Sequence, residues 1–158
     1  MGFGSARTSA TNMDPVDLTH SSVLIADDNP QILELLEAYL EPLRVRVVLA
    51  ADGQAAYEAV ERERPDLILL DIMMPKRSGF EICRALKDDP RYADIPVIMV
   101  TALNETGDIE RARECGADDF LCKPVNKNEL LERVAHRLKL RHLKQTLDRQ
   151  ADAEPEPD

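Results

Sequence analysis

The sequence predicts an α/β fold, a doubly wound five-stranded parallel sheet with an extended C-terminal helix. Two observations point there. Strand and helix patterns alternate five times between two ends that show no periodicity. The strand candidates are almost continuously apolar, as expected of a sheet covered on both faces. Alternating β and α elements joined by right-handed crossovers wind such a sheet.

The elements follow in order. Val23-Leu24-Ile25-Ala26 is the first strand. Pro30 suits the first turn of the next helix and Asn29 can cap it. In that helix Ile32, Leu35, Leu36, Tyr39 and Leu40 recur at helical spacing. Val45–Leu49 is the second strand. Asp52–Glu63 is a helix with Ala55, Ala56, Ala59 and Val60 on one face. Leu67–Leu70 (strand), Phe80–Lys87 (helix), Val97–Val100 (strand), Thr106–Cys115 (helix) and Phe120–Cys122 (strand) follow. A last helix starts at Asn126.

The chain has 158 residues, enough for one domain with a real core. With 44% apolar and 32% charged residues, it reads as soluble and globular. Net charge is -10, which argues against nonspecific nucleic-acid binding. No apolar stretch approaches the ~20 residues of a membrane span. The N-terminus lacks an apolar signal core, so the cytoplasm is expected. Cys83, Cys115 and Cys122 have no metal-ligand spacing and read as reduced thiols. The domain reading is a disordered arm over 1–20, a domain over 21–140, a helical extension over 141–150 and a disordered acidic tail over 151–158.

Four of the apolar runs end in chemistry. The first stops at Asp27-Asp28, the third at Asp71, the fourth at Thr101-Ala102 and the fifth at Lys123-Pro124. In an open parallel sheet, functional groups gather just beyond the carboxyl ends of the strands. Each piece alone has an ordinary explanation: Asp-Asp as a helix cap, Lys-Pro as a turn, Asp as a loop residue. Together they describe a site for Mg²⁺ and a phosphoryl group. Mg²⁺ takes hard oxygen ligands, usually one or two carboxylates plus waters. Asp27, Asp28 and Asp71 can supply them. Asp71 is a candidate nucleophile toward phosphorus. Lys123 can neutralise phosphoryl charge, and the Thr101 hydroxyl and Ala102 N–H can donate to its oxygens.

The residues Asp27-Asp28-Asn29-Pro30, Asp71-Ile72-Met73-Met74-Pro75, Gly79-Phe80-Glu81, Pro96 through Ala102, and Gly116 through Pro124 resemble the receiver domain of two-component response regulators. The resemblance spans roughly residues 22–140. It implies a flavodoxin-like fold with the strand order 2-1-3-4-5. It also implies a phosphoryl group on Asp71, received from a histidine kinase or phosphotransfer protein. Asp27 and Asp28 would hold Mg²⁺ with help from the Met73 backbone carbonyl. Thr101 and Phe120 would form the switch pair. A cis peptide before Pro124 is expected, aiming Lys123 over the strand ends. Met73 and Leu103 stand where the family tunes acyl-phosphate lifetime, and both are apolar. Leu86-Lys87-Asp88-Asp89-Pro90 and the basic last helix are similar to receivers that precede diguanylate cyclase domains. No cyclase or helix-turn-helix signature follows, so the output is unassigned and the chain is not expected to be a turnover enzyme.

Two other classes compete. A haloacid-dehalogenase-type phosphatase also uses a strand-end Asp, but it wants a second Asp two residues on, where this chain has Met73. A pseudo-receiver usually lacks an acidic residue or the Lys, and this chain keeps them. A dinucleotide-binding fold would need Gly-x-Gly-x-x-Gly after the first strand. In the last helix, Leu131, Val134 and Leu138 form a core stripe. Leu140, Leu143 and Leu147 form a second stripe pointing almost opposite. That second stripe suggests a helix running to about Arg149 that pairs with a second copy as a homodimer or leads into an output domain.

Overall fold

The computed structural model describes residues 17–102 and 106–153. Five strands form one parallel sheet: β1 (Ser22–Ala26), β2 (Arg46–Ala50), β3 (Leu67–Leu70), β4 (Val97–Thr101) and β5 (Asp119–Cys122). Their spatial order is β2-β1-β3-β4-β5, as the family resemblance implies. The helices are α1 (Pro30–Leu40), α2 (Gly53–Glu63), α3 (Gly79–Lys87), α4 (Thr106–Glu114) and α5 (Lys127–Ala153). A 3-10 turn at Glu41–Leu43 closes α1, and Arg44 after it takes a positive φ of 56°.

Side-chain alternation along the strands sorts the core into two layers. Leu24, Ala26, Ile68, Leu70, Val97 and Met99 face α2, α3 and α4, packing on Ala56, Val60, Ile82, Leu86 and Ala112. Val23, Ile25, Leu67, Leu69, Ile98, Val100 and Leu121 face α1 and α5, packing on Leu33, Leu36, Leu40, Leu130, Val134 and Leu138. Strands β1, β3 and β4 are buried throughout. Strands β2 and β5 are the sheet edges, and Leu49 of β2 is exposed.

The helix starts follow their capping residues. The Asn29 side chain accepts from the Gln31 and Ile32 N–H groups, and Pro30 occupies the first turn of α1. Asp52 accepts from Ala55 N–H. Ser78 and Glu81 close a reciprocal capping box on α3. Asn126 Oδ1 accepts from Glu129 N–H at the start of α5.

Two readings shift. Strand β2 lies one residue later than Val45–Leu49, and α5 runs through Ala153 rather than to about Arg149. Gln150, Ala151, Asp152 and Ala153 carry no helix breaker, so the last turns continue until Pro155 approaches. The first three residues read as acidic tail are therefore helical. Residues 1–16, most of the expected N-terminal arm, lie outside the described residues, as do Leu103 and residues 154–158. Among the described residues, no helix is long and apolar enough to cross a membrane. Cys83 is buried, Cys115 half-buried and Cys122 exposed, and none is in a disulfide. Burial pushes the Cys83 thiol up to about 12.

Candidate phosphoryl and metal site at the strand ends

The sheet register assembles the site. Ala26 at the end of β1 pairs with Leu70 at the end of β3, so Asp27 and Asp71 emerge side by side. The Asp71 N–H donates to the Ala26 carbonyl at 3.0 Å, and the Asp27 N–H donates to Ala50 at 3.1 Å. Thr101 pairs with Cys122, and the Lys123 N–H donates to the Thr101 carbonyl at 2.8 Å. The Lys123–Pro124 peptide is cis, as expected from the sequence.

The side chains converge accordingly. Asp27 and Asp71 are buried and Asp28 is exposed, and a carboxylate oxygen from each lies within 4.8 Å of the other two. Lys123 Nζ donates to Asp27 Oδ2 at 2.7 Å and sits 3.7 Å from Asp71 Oδ1. Asp27 Oδ1 accepts from the Asn29 N–H at 2.9 Å, which fixes the carboxylate's plane. Burial, then the neighbouring Asp27 charge, raises the Asp71 carboxyl to about 6. Lys123 and a bond from the Met73 N–H act against that rise.

Thr101 is buried at the end of β4. Phe120 pairs in register with Met99, two residues below Thr101 on the neighbouring strand and on the same sheet face. It is half-buried against the core layer under α3 and α4. Ala102 is exposed beside Thr101. The Met73 side chain is also exposed, at 64%.

The donor set fits a small hard dication. Ligand oxygens around Mg²⁺ stand at ~2.1 Å, so octahedral neighbours lie ~3.0 Å apart and opposite ligands ~4.2 Å apart, and this trio would draw together around the ion. Three carboxylates against one ammonium leave excess negative charge, and the exposed Asp28 leaves a side open to water.

The β3–α3 loop that carries Met73 is clamped by two glycines that spacing alone did not single out. A Cβ on Gly79 would stand 2.1 Å from the Asp71 carbonyl oxygen, and one on Gly53 2.0 Å from the Arg77 carbonyl oxygen. Gly79 N–H donates to Ile72 and Gly53 N–H to Pro75. Farther from the site, Lys87 Nζ donates to the Ala93 and Ile95 carbonyls and to Asp118 Oδ2, and that Asp118 oxygen also accepts from the Val97 N–H. This brace fixes the entry of β4.

With that geometry in place, similarity to known proteins is decisive. Residues 23–135 match the response regulator receiver domain model. The chain belongs to that family. It is 46% identical over 112 residues to the response regulator PleD of Caulobacter vibrioides, covering 71% of this chain and 25% of PleD. It is 44% identical over 112 residues to the DNA-binding regulator RpaA of Synechocystis, covering 71% of this chain and 46% of RpaA. The chain thus spans a quarter to about half of these relatives. Among solved structures, a response regulator from Chloroflexus aurantiacus superposes with TM-score 0.73 at 30% identity, covering 76% of this chain and 98% of that one. The receiver domain of a histidine kinase from Syntrophus aciditrophicus gives TM-score 0.71 at 37% identity, covering 75% and 90%. The protein is a receiver of two-component signalling.

Proposed function

We propose that Asp71 is the phosphoryl acceptor of this receiver, with Asp27, Asp28 and the Met73 carbonyl holding Mg²⁺ beside it. The observation that supports this best is the convergence of three carboxylates within 4.8 Å, with Lys123 Nζ against two of them. An Asp71 oxygen attacks phosphorus in the phosphohistidine of a histidine kinase or phosphotransfer protein. The P–O bond to Asp71 forms as the P–N bond breaks, and the imidazole leaves with the electron pair. Bound Mg²⁺ supplies positive charge to the transferring oxygens. Lys123 swings from Asp27 toward the new phosphoryl group, which carries more charge than the carboxylate it replaces. The Thr101 hydroxyl and Ala102 N–H donate to phosphoryl oxygens. Thr101 moving toward the phosphate opens space behind it, which Phe120 fills from the adjacent strand.

On this reading the chain is a phosphoacceptor and not a turnover enzyme. Met73 cannot act as the second acid a phosphatase would place there. The cytoplasm is its proposed location. Residues 21–140 are the receiver unit, and the helix beyond carries an exposed stripe for a second copy or an output domain.

Acetyl phosphate should label the protein only with Mg²⁺ present, and chelation should stop labelling. Equal labelling in a chelator would remove the metal assignment. The acyl phosphate should be long-lived, because Met73 and Leu103 offer no group to orient water. Replacing them together by Asn and Glu should shorten its lifetime. An unchanged decay rate in that double variant would remove this role for both positions.

A further inference from the structure

The second leucine stripe of α5 is exposed: Leu140 at 44%, Leu143 and Leu147 each at 57%. Around it, Lys139 and Lys144 are exposed and flank the stripe on opposite sides. In heptad terms Leu140 and Leu147 take a, Leu143 takes d, Lys139 takes g and Lys144 takes e. Two such helices in parallel would set Lys139 of one against Lys144 of the other. Antiparallel pairing would oppose like with like, lysine again facing lysine. The stripe is therefore not complementary to itself. It calls for an apolar groove with an acidic rim.

The same chain carries one. A groove of about 300 Å³ opens between α1 and the edge strand β2. Its floor is Leu40, Val45 and Val47, and its rim is Glu34, Glu37 and Glu41. All three glutamates are exposed. They make no ion pair among the described residues. Running along α1 into the 3-10 turn, their steps of three and four repeat those of Leu140, Leu143 and Leu147. Seven residues of helix rise ~10.5 Å, so rim and stripe run the same length.

We propose that the leucine stripe of α5 docks in the α1–β2 groove of a second copy, with Lys139 and Lys144 meeting Glu34, Glu37 and Glu41. This rests on the stripe being a self-association surface and names the surface that receives it. Helices α1 and α5 share one face of the sheet and one core layer. A twofold axis can therefore seat both stripes at once and close the assembly as a dimer. Leu140, Leu143 and Leu147 are already exposed while Arg141 holds this stretch to Asp66 and Asp94, so docking requires no unfolding.

The test is sedimentation of the full chain across a concentration series. Wild type is expected to dimerise. Leu143→Ser with Leu147→Ser is expected to weaken dimerisation, as is Glu34→Lys with Glu37→Lys and Glu41→Lys, by about tenfold each. Adding Lys139→Glu and Lys144→Glu to the glutamate variant should restore it. If the leucine variant loses association but the glutamate variant keeps it, the stripe stands as a seam and the groove assignment falls. The groove assignment also falls if the five-charge exchange fails to recover binding over the glutamate variant alone. A wild type that stays monomeric throughout overturns both.

Discussion

Asp71→Asn is expected to lose all phosphoryl labelling and, without divalent cation, to melt higher than the parent at pH 7.5. The first effect follows from removing the proposed nucleophile. The second follows from the carboxyl's raised value. Folding lifts Asp71 from 3.8 to about 6, so the folded protein holds this proton more tightly than the unfolded chain. That contribution is fully present below about pH 4 and is lost as pH rises through about 6. Above it, the buried carboxylate beside Asp27 costs up to about 3 kcal/mol. Asn carries no charge and escapes that cost. The variant should gain about 5–10 °C in Tm above pH 7 and little at pH 4. Mg²⁺ should raise the parent's Tm and move the variant's much less, because the ion stabilises only the state that binds it. Melting curves with and without Mg²⁺ at pH 4 and 7.5 check both. A variant that melts lower than the parent at pH 7.5 would show that the carboxylate is not strained, and label on the Asn protein would move the acceptor elsewhere.

Much of this site was readable because its groups end strands. A parallel sheet puts strand ends on one edge, so the runs ending at Asp27, Asp71, Thr101 and Lys123 had to meet there once the strand order was set. The caps at Asn29, Asp52 and Ser78 are local and follow from residue type. Long-range partners were harder. Lys123 was read as a phosphate ligand, and its short contact with Asp27 depends on two residues 96 positions apart. The Lys87 brace on β4 and the hydrogen bond of Arg141 Nε to Asp66 Oδ1 join elements far apart in the chain and leave no periodic trace. The far end of α5 reaches into the expected tail because Ala151, Asp152 and Ala153 are helix-compatible although the composition around them is acidic and proline-bearing. Steric need for glycine was invisible as well, since spacing shows where Gly79 is but not what stands beside it.

Gly79→Ala is expected to be the most damaging single change in the β3–α3 loop. Residue 79 opens α3, and its N–H donates to the Ile72 carbonyl at 2.8 Å. The methyl would stand 2.1 Å from the Asp71 carbonyl oxygen, 2.8 Å from Ile72 Cα and 2.9 Å from the Asp71 carbonyl carbon. All three are backbone atoms with no rotamer to yield. Relief must come from moving α3 or the loop, and the loop holds both the proposed phosphoryl acceptor and the Met73 carbonyl. Overpacking against backbone should cost about 3 kcal/mol, or about 10 °C in Tm, with a lower labelling rate in the fraction that folds. Gly107→Ala is the matched comparison. Nothing lies within 4 Å of a Cβ there, and the residue is exposed in the first turn of α4. Alanine's better helix propensity should add ~0.5 kcal/mol. Chemical denaturation of both variants separates the two effects. If the two alanine proteins unfold at the same denaturant concentration, the loop is not pressed against α3 as described, and the proposed role of the Met73 carbonyl loses its support.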